Sequence, residues 1–160
     1  LFASIFDENK LEWCEEAGVK IYKIASRTVE EKKLCEKVIS KNKPVIISLG
    51  MYDYKKNNLP YKSNNIIYLY CVSKYPTPLT DIDMPDFNNS FFKGFSDHTI
   101  GLSACLFAIS RGAEYIEKHY SNNKSMNVDT QLAHTCSMDQ DELAELRKYS
   151  DSINLMRSKK

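Results

Sequence analysis

Residues 19–51 read VKIYKIASRTVEEKKLCEKVISKNKPVIISLGM, and this stretch decides the fold. It opens on Val19–Ala25 and closes on Pro44–Leu49, two short apolar runs rich in β-branched and aromatic side chains. Between them, Val29–Ser40 places Leu34, Cys35, Val38 and Ile39 at helical spacing. Strand, helix, strand is a βαβ unit, and its two strands run parallel.

The same alternation extends in both directions. Further strand-like runs stand at Leu1–Phe6, Ile66–Val72, Phe92–Phe95 and Glu114–Glu117. Helical patterns stand at Lys10–Ala17, with Leu11 and Cys14, and at Leu102–Ser110, which is apolar almost all round and predicts a well-buried helix ended by Gly112. The last helix, Asp141–Arg157, sets Leu143, Leu146, Ile153 and Met156 largely on one face. One link breaks the pattern: Met51–Asn65 holds Asn57, Asn58, Pro60, Asn64 and Asn65 and reads as a loop. The fold class is therefore α/β with a parallel sheet, whose right-handed crossovers either close a barrel or wind an open sheet.

Composition narrows the partners. In 160 residues, 22 basic side chains face 21 acidic ones, so no charge bias points to nucleic acid or to a membrane surface. Lys55, Lys56 and Lys62 lie among asparagines in Asp53–Asn65, a solvated loop rather than a phosphate patch. No apolar run approaches the roughly 20 residues that span a bilayer, and no basic, then apolar, leader opens the chain. The five cysteines form no CxxC pair and each sits in an apolar pattern, which predicts reduced, packed thiols and a cytoplasmic protein. Leu1–Phe6 reads as a buried strand with no lead-in.

In parallel α/β folds ligands bind at the C-terminal ends of strands. Here those ends are polar: Lys23-Ile24-Ala25-Ser26, Ser48-Leu49-Gly50-Met51, Cys71-Val72-Ser73-Lys74-Tyr75-Pro76-Thr77-Pro78, Ser96-Asp97-His98-Thr99 and Glu117-Lys118-His119. Alternation along a strand puts Ser96 and His98 on one face, Glu117 and His119 on one face, and Cys71, Ser73 and Tyr75 on one face. Two neutral imidazoles can ligate a divalent metal and leave its other positions open for substrate oxygens, unlike a closed structural zinc site. Ser26, Ser48, Ser73 and Ser96 offer short donors on four consecutive strands, and Lys23 a cation, as a bound phosphate or carboxylate needs. Tyr75-Pro76-Thr77-Pro78 fixes a rigid turn that either simply ends its strand or holds Tyr75 at the strand ends. His134 has no such company and reads as a loop residue.

Taken in order, Tyr22–Ser26, Pro44–Met51, Cys71–Ser73 with Tyr75–Pro78, Ser96–Thr99 and Ile116–Tyr120 resemble the sialic acid synthase family, and Leu1–Asp7 is similar to its third strand. The resemblance implies a (β/α)8 barrel, and a single partial barrel domain over 1–160 covering strands three to eight. It implies condensation of phosphoenolpyruvate with N-acetylmannosamine or a related amino-sugar aldehyde, giving a nine-carbon 2-keto sugar acid and phosphate, with Mn2+ or Mg2+ as cofactor and a homodimer as the working form. Carried over, His98 and His119 become the metal ligands. Lys23, Ser26, Ser48, Ser73 and Ser96 become the cradle for phosphoenolpyruvate, with Lys23 also catalytic. Tyr75 becomes a sugar contact, and Glu117 a catalytic residue that binds sugar hydroxyls or positions water.

Four departures stand against the family pattern. At 160 residues the chain is short of the roughly 250 of a whole barrel and is expected to lack the family's first two strands. It is likewise expected to lack the C-terminal antifreeze-like domain. In Ala133–Met138, Ala133 replaces an acceptor-binding Asp, for which Asp129 is the nearby substitute. Ser73 stands where some members carry Asn, and Arg27 follows Ser26 where relatives carry a small or acidic residue. Two other readings stay open: a non-catalytic metal- or anion-binding or association module derived from such a synthase, and a divalent-metal aldolase on the same fold.

Overall fold

A computed structural model describes residues 1–124 and 135–158. The chain divides into two compact units, Leu1–Cys71 and Val72–Lys160.

The first unit contains β1 (Phe2–Ser4), α1 (Glu8–Glu16), β2 (Ile21–Ile24), α2 (Lys32–Ile39), β3 (Val45–Ser48) and β4 (Ile66–Cys71). Its strands pair in chain order and all are parallel, with Tyr22 opposite Val45 and Ile47 opposite Tyr68. The βαβ reading of residues 19–51 holds to within a few residues at each boundary. Asp7 caps α1 by accepting from the Lys10 amide at 2.8 Å, and Gly18, at φ +69°, lets the chain turn out of the helix into β2. Leu34, Cys35 and Val38 form the buried stripe of α2. Leu11, Tyr22, Ile24, Val45, Ile47, Leu49 and Leu69 make up the core.

The link after β3 has no helix, as its composition predicts, and aromatic hydroxyls hold it in place. The Tyr61 hydroxyl donates to the Val29 carbonyl at 2.7 Å, and the Tyr68 hydroxyl donates to the Tyr61 carbonyl at 2.6 Å. Asn65 donates through its amide to the carbonyls of Ile39 and Lys43. Lys55, Lys56 and Lys62 are exposed, consistent with a solvated loop.

The second unit contains β5 (Phe92–Asp97), α3 (Ser103–Ser110), β6 (Tyr115–Lys118) and α4 (Gln140–Arg157). β5 and β6 are parallel, with Ser96 opposite Glu117 and Asp97 opposite Lys118. Cys105 and Ile109 of α3 pack with Met138 and with Leu146 of α4. In the first unit Leu1–Phe6 is not a buried strand: Leu1, Phe2 and Phe6 are exposed and only Ile5 is fully buried. Two details of the second unit also differ from the sequence reading. Phe107 stands exposed on α3, because only one side of that helix meets the sheet and α4. On α4 only Leu146 is buried, with Ile153 partly covered, while Leu143 and Met156 are exposed, so the apolar stripe is narrower than its sequence spacing. Asp139 and Glu142 close a reciprocal capping box at the start of α4.

Gly94 sits where β6 approaches most closely: a Cβ there would lie 2.7 Å from the Tyr115 carbonyl carbon and nearer still to its oxygen. Because the obstacle is backbone, relief means separating the strands. Gly94→Ala is expected to cost about 3 kcal/mol, read as a fall in thermal unfolding midpoint, and an unchanged midpoint would contradict this packing.

Among the described residues no helix is long and apolar enough to cross a membrane. All five cysteines are free thiols, four of them buried.

Candidate active site

In the first unit the polar groups gather where β2, β3 and β4 end. Lys23 pairs with Ile46, and Ser48 lies two residues further along β3, so Lys23 and Ser48 share one face. Both are almost fully buried. The Lys23 ammonium donates to the Ile24 carbonyl at 3.0 Å. Ser26 follows β2 and joins three strand ends: its hydroxyl accepts from the Gly50 amide at 3.0 Å and lies 3.7 Å from the Cys71 sulfur. A buried ammonium on the face of Ser48, with the Ser26 hydroxyl three residues further along, offers donors of the kind an anion binds.

In the second unit Ser96 of β5 stands opposite Glu117 of β6, and the next alternate residues, His98 and His119, follow one residue beyond each strand. His98 and His119 stand with ring centroids 5.5 Å apart. Tyr75 completes the group, its ring 4.1 Å from that of His98 and 5.8 Å, edge-on, from that of His119. Of the two readings of the Tyr75–Pro78 turn, the structure supports the one in which Tyr75 is held among the strand ends.

The turn also holds His98. The Thr77 amide donates to the His98 carbonyl at 2.8 Å, and the Thr77 hydroxyl donates to the Lys74 carbonyl at 2.8 Å. His98 Nδ1 lies 2.9 Å from the Val72 carbonyl. A carbonyl only accepts, so in the neutral ring Nδ1 carries the proton and Nε2 keeps a lone pair through which the ring can ligate a metal. Ser73 brings a buried hydroxyl with no protein partner to this group, a donor whose desolvation nothing in the protein offsets.

Burial holds the His98 imidazole below its ordinary pKa near 6.5, only partly offset by the Val72 carbonyl and the Asp97 carboxylate. The folded state therefore binds the proton less readily than the unfolded chain. Its contribution to stability is whole above pH 6.5 and is lost as pH falls from there through the lower folded value. Stability measured from pH 7.5 to 5 is expected to drop, and the drop is expected to shrink in His98→Gln; an unchanged pH profile in that variant would contradict the assignment.

The sequence pattern alone does not reveal that the strand ends also carry a buried ion pair. Asp97 and Lys118, on the opposite face, form an ion pair at 2.7 Å whose side chains are 0% and 1% exposed. The sequence holds part of the signal: an acid and a base occupy matched places in Ser96-Asp97-His98 and Glu117-Lys118-His119, on the face that turns toward α3. Among the described residues no group of three or more His, Cys, Asp or Glu side chains could hold a metal, so the histidine pair is an open site at most. Asp129, Ala133 and His134 lie outside the described residues.

The NeuB family model matches residues 1–160, the whole chain. This chain belongs to the NeuB family. It is 31% identical over 156 residues to the N,N'-diacetyllegionaminic acid synthase of Legionella pneumophila, covering 88% of this chain and 43% of the relative. Against the pseudaminic acid synthase of Helicobacter pylori it is 35% identical over 141 residues, 80% of this chain and 41% of the relative. The crystal structure of an N-acetylneuraminic acid (sialic acid) synthetase from Leptospira borgpetersenii superposes with a TM-score of 0.82 at 30% identity, over 97% of this chain and 57% of that one. The NeuB-family chain thus has the α/β barrel-type fold of these synthases and spans less than half the length of the curated relatives it matches.

Proposed function

We propose that this chain carries the phosphoenolpyruvate and divalent-metal residues of a synthase that condenses phosphoenolpyruvate with an amino-sugar aldehyde. The pairing of His98 and His119 under Tyr75, with His98 fixed in the metal-binding tautomer, carries this reading. The two rings stand 5.5 Å apart between centroids, near enough for both to serve one ion that they would share. His98 and His119 would hold Mn2+ or Mg2+, which when bound polarises the aldehyde oxygen of the acceptor.

The remaining residues divide the other tasks. Lys23, Ser26 and Ser48 in the first unit offer a cation and hydroxyls of the kind that bind the phosphate or carboxylate of phosphoenolpyruvate, with Lys23 supplying most of the attraction; in the second unit Ser73 and Ser96 offer further hydroxyls of that kind. Tyr75 packs against the sugar. Glu117, on the face of His119, binds sugar hydroxyls or positions the water that adds at C2 of phosphoenolpyruvate after C3 has joined the aldehyde carbon. Phosphate then leaves, and the product is a nine-carbon 2-keto acid. Residues 1–160 supply strands three to eight of the barrel, and the active protein is a homodimer. The five free thiols support a reducing compartment, the cytoplasm.

Ser73→Ala removes a buried donor that has no protein partner to lose, so the fold is expected to keep its stability while KM for phosphoenolpyruvate rises about tenfold. An unchanged KM removes Ser73 from the site. The reaction class is tested by phosphate release. The synthase reading requires release that depends on phosphoenolpyruvate, an amino-sugar aldehyde and a divalent metal together. Turnover of pyruvate with the aldehyde would establish an aldolase, and binding of metal and phosphoenolpyruvate without release a non-catalytic module.

A further inference from the structure

We infer that the buried Asp97–Lys118 pair is a positioning device that sets the spacing of His98 and His119. The inference rests on the reading of those histidines as the metal pair.

The ladder between β5 and β6 ends at Asp97 opposite Lys118. Both histidines lie one residue beyond the last rung, where strand pairing no longer fixes their separation. The ion pair begins where the ladder stops. Lys118 Nζ donates to Asp97 Oδ2 at 2.7 Å and also to the Thr99 carbonyl at 2.7 Å. Asp97 in turn accepts from the Thr99 amide at 2.8 Å and the Thr99 hydroxyl at 3.2 Å, drawing Asp97-His98-Thr99 into a closed bow. One ammonium therefore grips the residues on both sides of His98, and it belongs to the residue immediately before His119.

The surroundings hold the grip in place. Cys105 Sγ on α3 donates to Asp97 Oδ2 at 3.1 Å, tying the carboxylate to the helix layer behind the sheet. Both side chains of the pair are shielded from water, so their attraction is little screened by salt. An apolar pair of the same volume would avoid the desolvation cost, but it would slide, whereas two directed hydrogen bonds from one nitrogen fix a distance. Since the pair faces away from the imidazoles, it acts on bound metal only through their placement, as outer partners of metal ligands do.

The test uses the protein with Asp97→Asn and Lys118→Met combined, which removes both charges and leaves neither buried alone. Asp97→Asn, close to isosteric and still able to accept from the Thr99 amide, is the companion variant. Two quantities are read on each folded variant: the manganese dissociation constant by calorimetry, and the His98 ring-proton shifts, which the Tyr75 ring 4.1 Å away makes sensitive to small displacements. The inference expects manganese affinity to fall 10- to 100-fold and the His98 shifts to move, with the thermal midpoint of the double variant near that of the parent. Manganese affinity within twofold of the parent, with unmoved His98 shifts, would overturn it. If the parent itself binds no manganese, the metal reading fails, and the His98 shifts alone then decide whether the pair places the ring.

Discussion

His98→Ala and His119→Ala are each expected to lower manganese-dependent turnover by about a thousandfold or more, since a Lewis-acid contact is worth several kcal/mol in the transition state. Two ligands leave no reserve: with one imidazole gone, a single nitrogen and water cannot hold the ion against dilution. The structural cost is small by comparison. His98 gives up one hydrogen bond to the Val72 carbonyl and its contact with Tyr75, a loss of about 1–2 kcal/mol. His119 is half-buried and costs less. Calorimetric titration with manganese, beside a thermal melt, separates the two effects. Retained manganese affinity in both folded variants would remove the histidines from the metal site.

The second large effect is expected at Lys23. A phosphate dianion bound against a buried ammonium gains charge-assisted hydrogen bonds of roughly 1.5–3 kcal/mol, so Lys23→Met should raise KM for phosphoenolpyruvate about 10- to 100-fold. Methionine follows the lysine stem closely and fills the same buried volume, so folding is expected to survive. The Lys23 bond to the Ile24 carbonyl is local and its loss leaves the β2–β3 ladder untouched. Manganese binding should be unaltered if, as proposed, Lys23 serves the anion and the histidine pair the metal. A Lys23→Met enzyme with parental KM for phosphoenolpyruvate would show that the anion is held elsewhere.

Strand positions were legible because each β run is short, apolar and bounded by polar ends, with α-helices in the links β1–β2, β2–β3 and β5–β6 but none between β3, β4 and β5. The same alternation sets Ser96 and His98, and Glu117 and His119, on one face, and the register pairs Ser96 with Glu117. What the sequence concealed were properties of packing. Phe107 is apolar yet exposed, since a helix with apolar residues all round does not say which neighbours it will meet. Leu143 and Met156 fall at core-like spacing on α4, but the cover over that helix is narrower than the stripe. Ser26 joins three strand ends through the Gly50 amide and the Cys71 sulfur, a convergence across 45 residues that no local pattern announces. Asp97 and Lys118 were quoted within their motifs, and their pairing follows once the two strands are in register. The family resemblance carried the step from parallel α/β to barrel, which periodicity alone left open.

The proposed reaction forms a carbon–carbon bond at C3 of phosphoenolpyruvate and then loses phosphate from C2. It is tested most directly with phosphoenolpyruvate carrying 18O in the bridging oxygen, incubated with the protein, manganese and N-acetylmannosamine or a related amino sugar. The account predicts that the label leaves with phosphate, through cleavage of the C–O bond, in step with a nine-carbon keto acid seen by mass spectrometry. Unlabelled phosphate with the 18O retained in pyruvate, or no phosphate at all, would contradict it.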